Sequence, residues 1–180
     1  MTESKRHRGE PRTRSEKAWL CLLSVLWGYV FVSAQSSAPS LQFRGTQGSA
    51  HATITASPAR VAGAPGAKLM LFVDVTPKAS IHVYAPGSKD YIPITVKPDP
   101  QPQVKFGKVA YPKAEMMTFA DERVPVFQKP FRLTQEITLG RAAQPGSTVT
   151  IAGTVHFQAC DDKVCYPPES VPLSWTVAVK

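Results

Sequence analysis

Most residue patterns that carry enzymatic chemistry are missing from this chain of 180 residues. It has no serine, histidine and aspartate arrangement suited to nucleophilic hydrolysis, no paired carboxylate set and no glycine loop to cradle a phosphate. These absences argue against hydrolase and nucleotide-dependent activities. Basic residues outnumber acidic ones, 21 to 13, yet arginines and lysines nowhere cluster with interleaved aromatics, so nucleic acid is not an expected partner. Beyond residue 35 there is no helical period, no internal repeat and no apolar run long enough to cross a membrane. Cysteine is scarce as well, at positions 21, 160 and 165 alone.

The amino terminus differs in kind from the rest. Lys5, Arg6, Arg8, Arg12, Arg14 and Lys17 precede an uncharged, largely apolar stretch from Ala18 to Val32, which closes on Val32-Ser33-Ala34. A basic segment, an apolar segment and a small residue at the end form the pattern of a secretory signal peptide. Residues 1–34 are therefore expected to be a leader cleaved after Ala34, and 35–44 a linker. An uncleaved anchor is the alternative, because about 17 apolar-biased residues is the lower limit for spanning a bilayer. In either case the remainder is exported, to the periplasm or another extracytoplasmic space. Arg12-Thr13-Arg14 is not a twin-arginine pair, which favours the general secretory route.

After the linker, proline and glycine punctuate runs of alternating or β-branched residues. Candidate strands are His51–Thr55, Leu69–Val75, Ile81–Tyr84, Ile92–Val96, Phe131–Leu139, Val149–Ala159 and Val171–Val179. Two of them alternate cleanly. Val149, Ile151, Gly153, Val155, Phe157 and Ala159 share one face, as do Val171, Leu173, Trp175, Val177 and Val179. A period of two with one apolar face is what a strand half-buried in a sandwich needs. The expected fold is all-β, an immunoglobulin-like sandwich of about seven to nine strands over residues 45–180.

Cys21 falls in the leader, which leaves Cys160 and Cys165 as one possible pair in a compartment where disulfides persist. Four residues separate them, enough to turn the chain so that the sulfurs face each other at a hairpin mouth. As a staple the bond would do little, since closing a loop of about six residues stabilises by roughly 2 kcal/mol. A short, exposed pair is also open to attack by a second thiol. Position alone leaves redox and structural roles evenly matched.

Asp161 and Asp162 are adjacent to Cys160 and should raise its pKa, with Lys163 partly opposing them. An attack triggered by docking is expected rather than a constitutively reactive thiolate, although each aspartate singly reads as a turn residue. A zinc or copper site from His156, Cys160, Cys165 and Met116-Met117 is a rival. About 13 Å would separate the Cα atoms of His156 and Cys160 on a straight strand, at roughly 3.3 Å per residue. Metal–ligand bonds of about 2 Å do not bridge that gap, so no metal and no cofactor is expected.

The string Phe157-Gln158-Ala159-Cys160-Asp161-Asp162-Lys163-Val164-Cys165-Tyr166-Pro167-Pro168 closely resembles the cysteine-bearing hairpin of the amino-terminal periplasmic domain family of DsbD thiol:disulfide interchange proteins. Weaker likeness extends to Ile81-His-Val-Tyr-Ala-Pro-Gly87, Tyr91-Ile-Pro-Ile94, Ala110-Tyr-Pro-Lys113 and Phe131-Arg-Leu133, so it covers most of residues 45–180. The resemblance implies an immunoglobulin-like domain that takes electrons from a thioredoxin-like protein and passes them on through mixed disulfides. It implies that Cys165 joins the partner and Cys160 resolves the intermediate. It also implies an aromatic cap over the disulfide. The sequence departs from the cap pattern around Phe119-Ala-Asp-Glu-Arg123, where Phe119 is the candidate; Tyr84 is a candidate wall, and Gln158 another neighbour. The membrane and thioredoxin-like domains of full-length relatives have no counterpart in these 180 residues, so a stand-alone exchange domain needing an external donor is expected. It would be a thiol:disulfide oxidoreductase component more than an enzyme acting on a small molecule. The competing expectation is a binding or structural sandwich with a stapling disulfide.

Overall fold

The computed structural model describes residues 46–119 and 121–180. The expected leader and linker, 1–34 and 35–44, lie outside the described residues. Within them the chain is all β, and no helix is long and apolar enough to cross a membrane.

Two sheets form an immunoglobulin-like sandwich. One is built from β1 (Thr46–Gly48), β2 (Ala52–Ser57), β4 (Lys68–Pro77), β10 (Phe131–Leu139) and β7 (Val104–Ala110), hydrogen-bonded in that order. The other runs β3 (Arg60–Gly63), β13 (Glu169–Val179), β11 (Thr148–Phe157) and β6 (Thr95–Pro98). Pairing is antiparallel throughout except between β3 and β13, which run parallel. A third, smaller sheet contains β12 (Ala159–Cys160), β5 (His82–Tyr84), β9 (Glu122–Phe127) and β8 (Glu115–Phe119).

The alternation legible in the chain builds the core. Leu71, Val73 and Val75 of β4 and Leu133 and Ile137 of β10 are buried from one side, with Ile151, Val155, Trp175 and Val177 from the other. Trp175 is fully buried, and its indole N–H donates to the carbonyl of Phe72 in the facing sheet at 3.2 Å. That bond satisfies the one polar atom such a side chain would otherwise strand between two apolar layers. Gln135 is likewise buried, with its amide donating to the carbonyls of Gly107 and Glu136 at 2.8 Å each. It sits where the β10–β7 register slips. At Gly153 the strands approach so closely that a Cβ would lie 3.0 Å from the Lys97 carbonyl oxygen.

Thirteen strands form among the described residues, more than the seven to nine expected. The additional ones (β1, β3, β7, β8 and β9) are short or carry charges and a proline, so no clean alternation announces them. Most expected strands shift at their ends by a residue or two, and two of the changes bear on the site. Pairing in the Ile92–Val96 stretch starts only at Thr95, because Pro93 has no N–H and Ile94 donates instead to Tyr84 at 2.8 Å. The long strand expected to reach Ala159 stops at Phe157. After Gln158 the chain leaves the sandwich and enters the third sheet as β12.

Candidate functional site

That change of sheet determines the surroundings of the cysteines. Continued alternation from β11 would place Cys160 on the polar face, beside His156 and Gln158. Instead Cys160 pairs with His82 and Ala159 with Val83, and Cys160 is 0% exposed. It lies in a second small core with Tyr84, Val124 and Val126, against which Tyr91, Met117 and Phe119 pack. Cys165 is bonded to Cys160 and is exposed. The expectation of an exposed pair thus holds for one sulfur only.

The loop between the sulfurs is ordered by Asp161. One carboxylate oxygen accepts the backbone N–H groups of Lys163 and Val164 at 2.7 and 2.8 Å, and the other accepts the Tyr166 hydroxyl at 2.6 Å. These bonds, that from Tyr166 foremost, lower the Asp161 pKa to about 2. Asp161 is therefore a turn residue whose charge is committed to its own loop, while Asp162 is exposed. Backbone bonds close the hairpin on both sides of the disulfide, from Asp161 N–H to Val164 at 3.0 Å and from Tyr166 N–H to Ala159 at 2.9 Å. Tyr166 stacks on His51 with ring centroids 3.9 Å apart, and His51 pairs through Nδ1 with Glu169 at the start of β13.

Gln158, at the joint between sheets, accepts the N–H of Ile92 at 3.2 Å and donates to the Tyr166 carbonyl at 3.3 Å. It braces the hairpin. Tyr84 is more intimate, its hydroxyl lying 3.5 Å from Cys165 Sγ. Burial, and then the neighbouring Tyr91 stacked on it at 4.2 Å, push the Tyr84 phenol well above its ordinary pKa. It remains a hydroxyl able to donate to sulfur. Phe119 is half-buried against the small core that holds Cys160, edge-on to His82 at 5.7 Å and to Tyr91 at 6.0 Å. Cys160, Cys165, Tyr84, Phe119, Asp161 and Gln158 are thus gathered at one end of the molecule.

The residues of the rival metal site are not brought together. His156 bonds Ser170 through Nδ1 at 3.0 Å, Met116 is exposed, and Met117 accepts the Gln128 amide at 3.1 Å. Among the described residues no group of three or more His, Cys, Asp or Glu side chains could hold a metal ion. Sequence reasoning missed His82, Tyr91 and Tyr166. All three lie inside the segments that carry the family resemblance, but only the β12–β5 pairing brings His82 opposite Cys160.

A family model described as thiol:disulfide interchange protein DsbD, N-terminal, matches residues 50–173. The chain belongs to this DsbD amino-terminal family. The match spans both sandwich sheets, the third sheet and the cysteine hairpin. Together with the bonded Cys160–Cys165 pair that it contains, the match makes the chain a thiol–disulfide exchange domain. Among solved structures, the reduced DsbD amino-terminal domain of Neisseria meningitidis is 18% identical with a TM-score of 0.41, covering 62% of this chain and 77% of that one. The amino-terminal periplasmic domain of ScsB from Proteus mirabilis is 14% identical with a TM-score of 0.47, covering 72% of this chain and 49% of that one. Comparison with curated proteins returns no match.

Proposed function

We propose that this domain works in the periplasm, relaying two electrons between thioredoxin-fold proteins by disulfide exchange at Cys160–Cys165. The observation that carries the reading is the asymmetry of the pair, with Cys165 exposed and Cys160 fully buried. A thiolate on a docking protein can approach only Cys165 Sγ. Its attack forms an intermolecular S–S bond to Cys165, and the electron pair of the broken bond leaves on Cys160 Sγ. In the opposite direction Cys160 attacks Cys165 Sγ and the electron pair leaves on the partner's sulfur. Cys165 is thus the joining cysteine and Cys160 the resolving one.

Two apolar side chains near the hairpin suit a docking protein: Val164, 49% exposed between the cysteines, and Ile92, 38% exposed beside Gln158. Phe119 and Tyr91 pack against the small core that holds Cys160, which supports a cap that yields on docking. The test is trapping with thioredoxin-like proteins. Cys160→Ser should accumulate mixed disulfides through Cys165, and Cys165→Ser should accumulate few. No trapped partner with either variant would overturn the relay.

A further inference from the structure

The second small core contains a titratable side chain that neither disulfide exchange as described nor the fold accounts for. His82 is 1% exposed, and its Nε2 has no hydrogen-bond partner among the described residues. A buried imidazole nitrogen without a partner is costly, on the order of 1–3 kcal/mol. It calls for a reason. Its position supplies one, because His82 lies directly opposite Cys160 in the antiparallel β5–β12 pair. Such residues point to the same face, with Cβ atoms about 4.5–5.5 Å apart. His82 is also edge-on to Tyr84 at 5.4 Å and to Phe119 at 5.7 Å, and these rings belong to or pack against the small core that holds Cys160.

We propose that His82 is the base that takes the proton of the buried Cys160 thiol when Cys160 resolves a mixed disulfide. The inference rests on the reading of Cys160 as the resolving cysteine. In the step, Cys160 S–H gives its proton to His82 Nε2 and Cys160 Sγ bonds to Cys165 Sγ. The Cys165–partner S–S bond breaks, and its electron pair leaves on the partner's sulfur. The pair Cys160 and Cys165 is oxidised, the partner's half of the mixed disulfide is reduced, and the imidazolium proton passes to the released thiolate or to water.

A base is needed because a thiol ordinarily titrates near about 8.5, and burial raises it further. The other groups around His82 do not serve. Both carboxylate oxygens of Asp161 are occupied by Lys163, Val164 and Tyr166. Asp162 is exposed and acts on His82 only through its charge. Tyr84 holds its proton, and Tyr91 is stacked on it. Phe119, from β8, brings no titratable group. Burial lowers the His82 pKa, with Asp162 and Asp161 opposing, which favours the neutral imidazole that can accept a proton.

The test uses the full chain with Cys21→Ser, reduced and mixed with the small aromatic disulfide 5,5′-dithiobis(2-nitrobenzoic acid). The first thiolate released reports attack by Cys165, and the second reports resolution by Cys160. In the protein with His82 the second phase should rise through the histidine range, below pH 8. In His82→Gln it should slow about a hundredfold at pH 7, as loss of a general base does, and its profile should move up to the thiol range. His82→Phe, which fills the same space, should behave as His82→Gln does. A measurement needing no substitution is the proton NMR titration of the His82 ring, whose pKa should be higher in the reduced protein than in the oxidised one. An unchanged second phase in both variants, or a His82 titration indifferent to reduction, would overturn the inference, as would a missing second release. Because the assay uses a small disulfide, failure to trap thioredoxin-like proteins would sink the relay and leave this result standing.

Discussion

The sandwich and the small sheet at its end are built from the same strands-and-turns sequence, yet they bury different things. Between the two large sheets lie aliphatic side chains around Trp175, and the polar atoms that enter, on Trp175 and Gln135, are hydrogen-bonded. The small sheet buries Cys160 and Tyr84 with two valines, lines them with aromatic rings, and keeps a histidine nitrogen unpartnered. The first arrangement maximises stability, since apolar burial contributes while satisfied polar groups cost little. The second forgoes stability and keeps one sulfur, a phenol and an imidazole out of water. Separating the two lets a sulfur change bonding partners without disturbing the packing that keeps the domain folded.

The sharpest way to break this contrast is to damage each region in turn. Trp175→Ala should destabilise the domain by about 3–5 kcal/mol, as truncation of a large buried aromatic does. Removing both cysteines as Cys160→Ala and Cys165→Ala should abolish exchange but cost only about 2 kcal/mol. Urea unfolding followed by circular dichroism gives both values, and a cysteine-free variant as damaged as Trp175→Ala would make the disulfide a staple after all.

A smaller effect tests whether the aromatic lining shields the pair. Phe119→Ala should speed reduction of the disulfide by dithiothreitol about tenfold, equivalent to about 1.4 kcal/mol of barrier. Equal rates would remove Phe119 from the cap. The smallest effect concerns Asp161. Its folded pKa, about 2, lies below the ordinary carboxylate value, so its loop bonds stabilise fully above about pH 4 and fade as pH falls toward 2. Amide exchange at Lys163 and Val164 should accelerate over that window, and in Asp161→Asn it should lose the dependence. A flat profile in the unsubstituted protein would contradict the bonding seen in the loop.

The same contrast explains what could be read from the chain. β4, β10, β11 and β13 are long and alternate, so their inward faces were legible. β5 has three residues, all buried, and therefore no period to detect. β8 is largely exposed, and β9 carries Pro125 and two charges. Cys160 and Cys165 stood out because cysteine is rare, and Phe119 and Tyr84 followed from the family resemblance. His82 did not, since its importance arises from a pairing between strands 78 residues apart in sequence number, from 82 to 160. Gln158 was named as a neighbour of the sulfurs, and its bonds to Ile92 and Tyr166 show that it also braces the loop, because a side chain at the joint between two sheets answers to both.

The hairpin around the cysteines is closed by hydrogen bonds that do not depend on the disulfide, from Asp161 to Val164 and from Tyr166 to Ala159. When the sulfur–sulfur bond opens, these bonds keep the two thiols facing each other at a high effective concentration. In the proposed relay, a partner joined to Cys165 is in permanent competition with a neighbour that never diffuses away. On that reading the lifetime of the joined complex is a property of this domain as well as of its partner, and each encounter is brief.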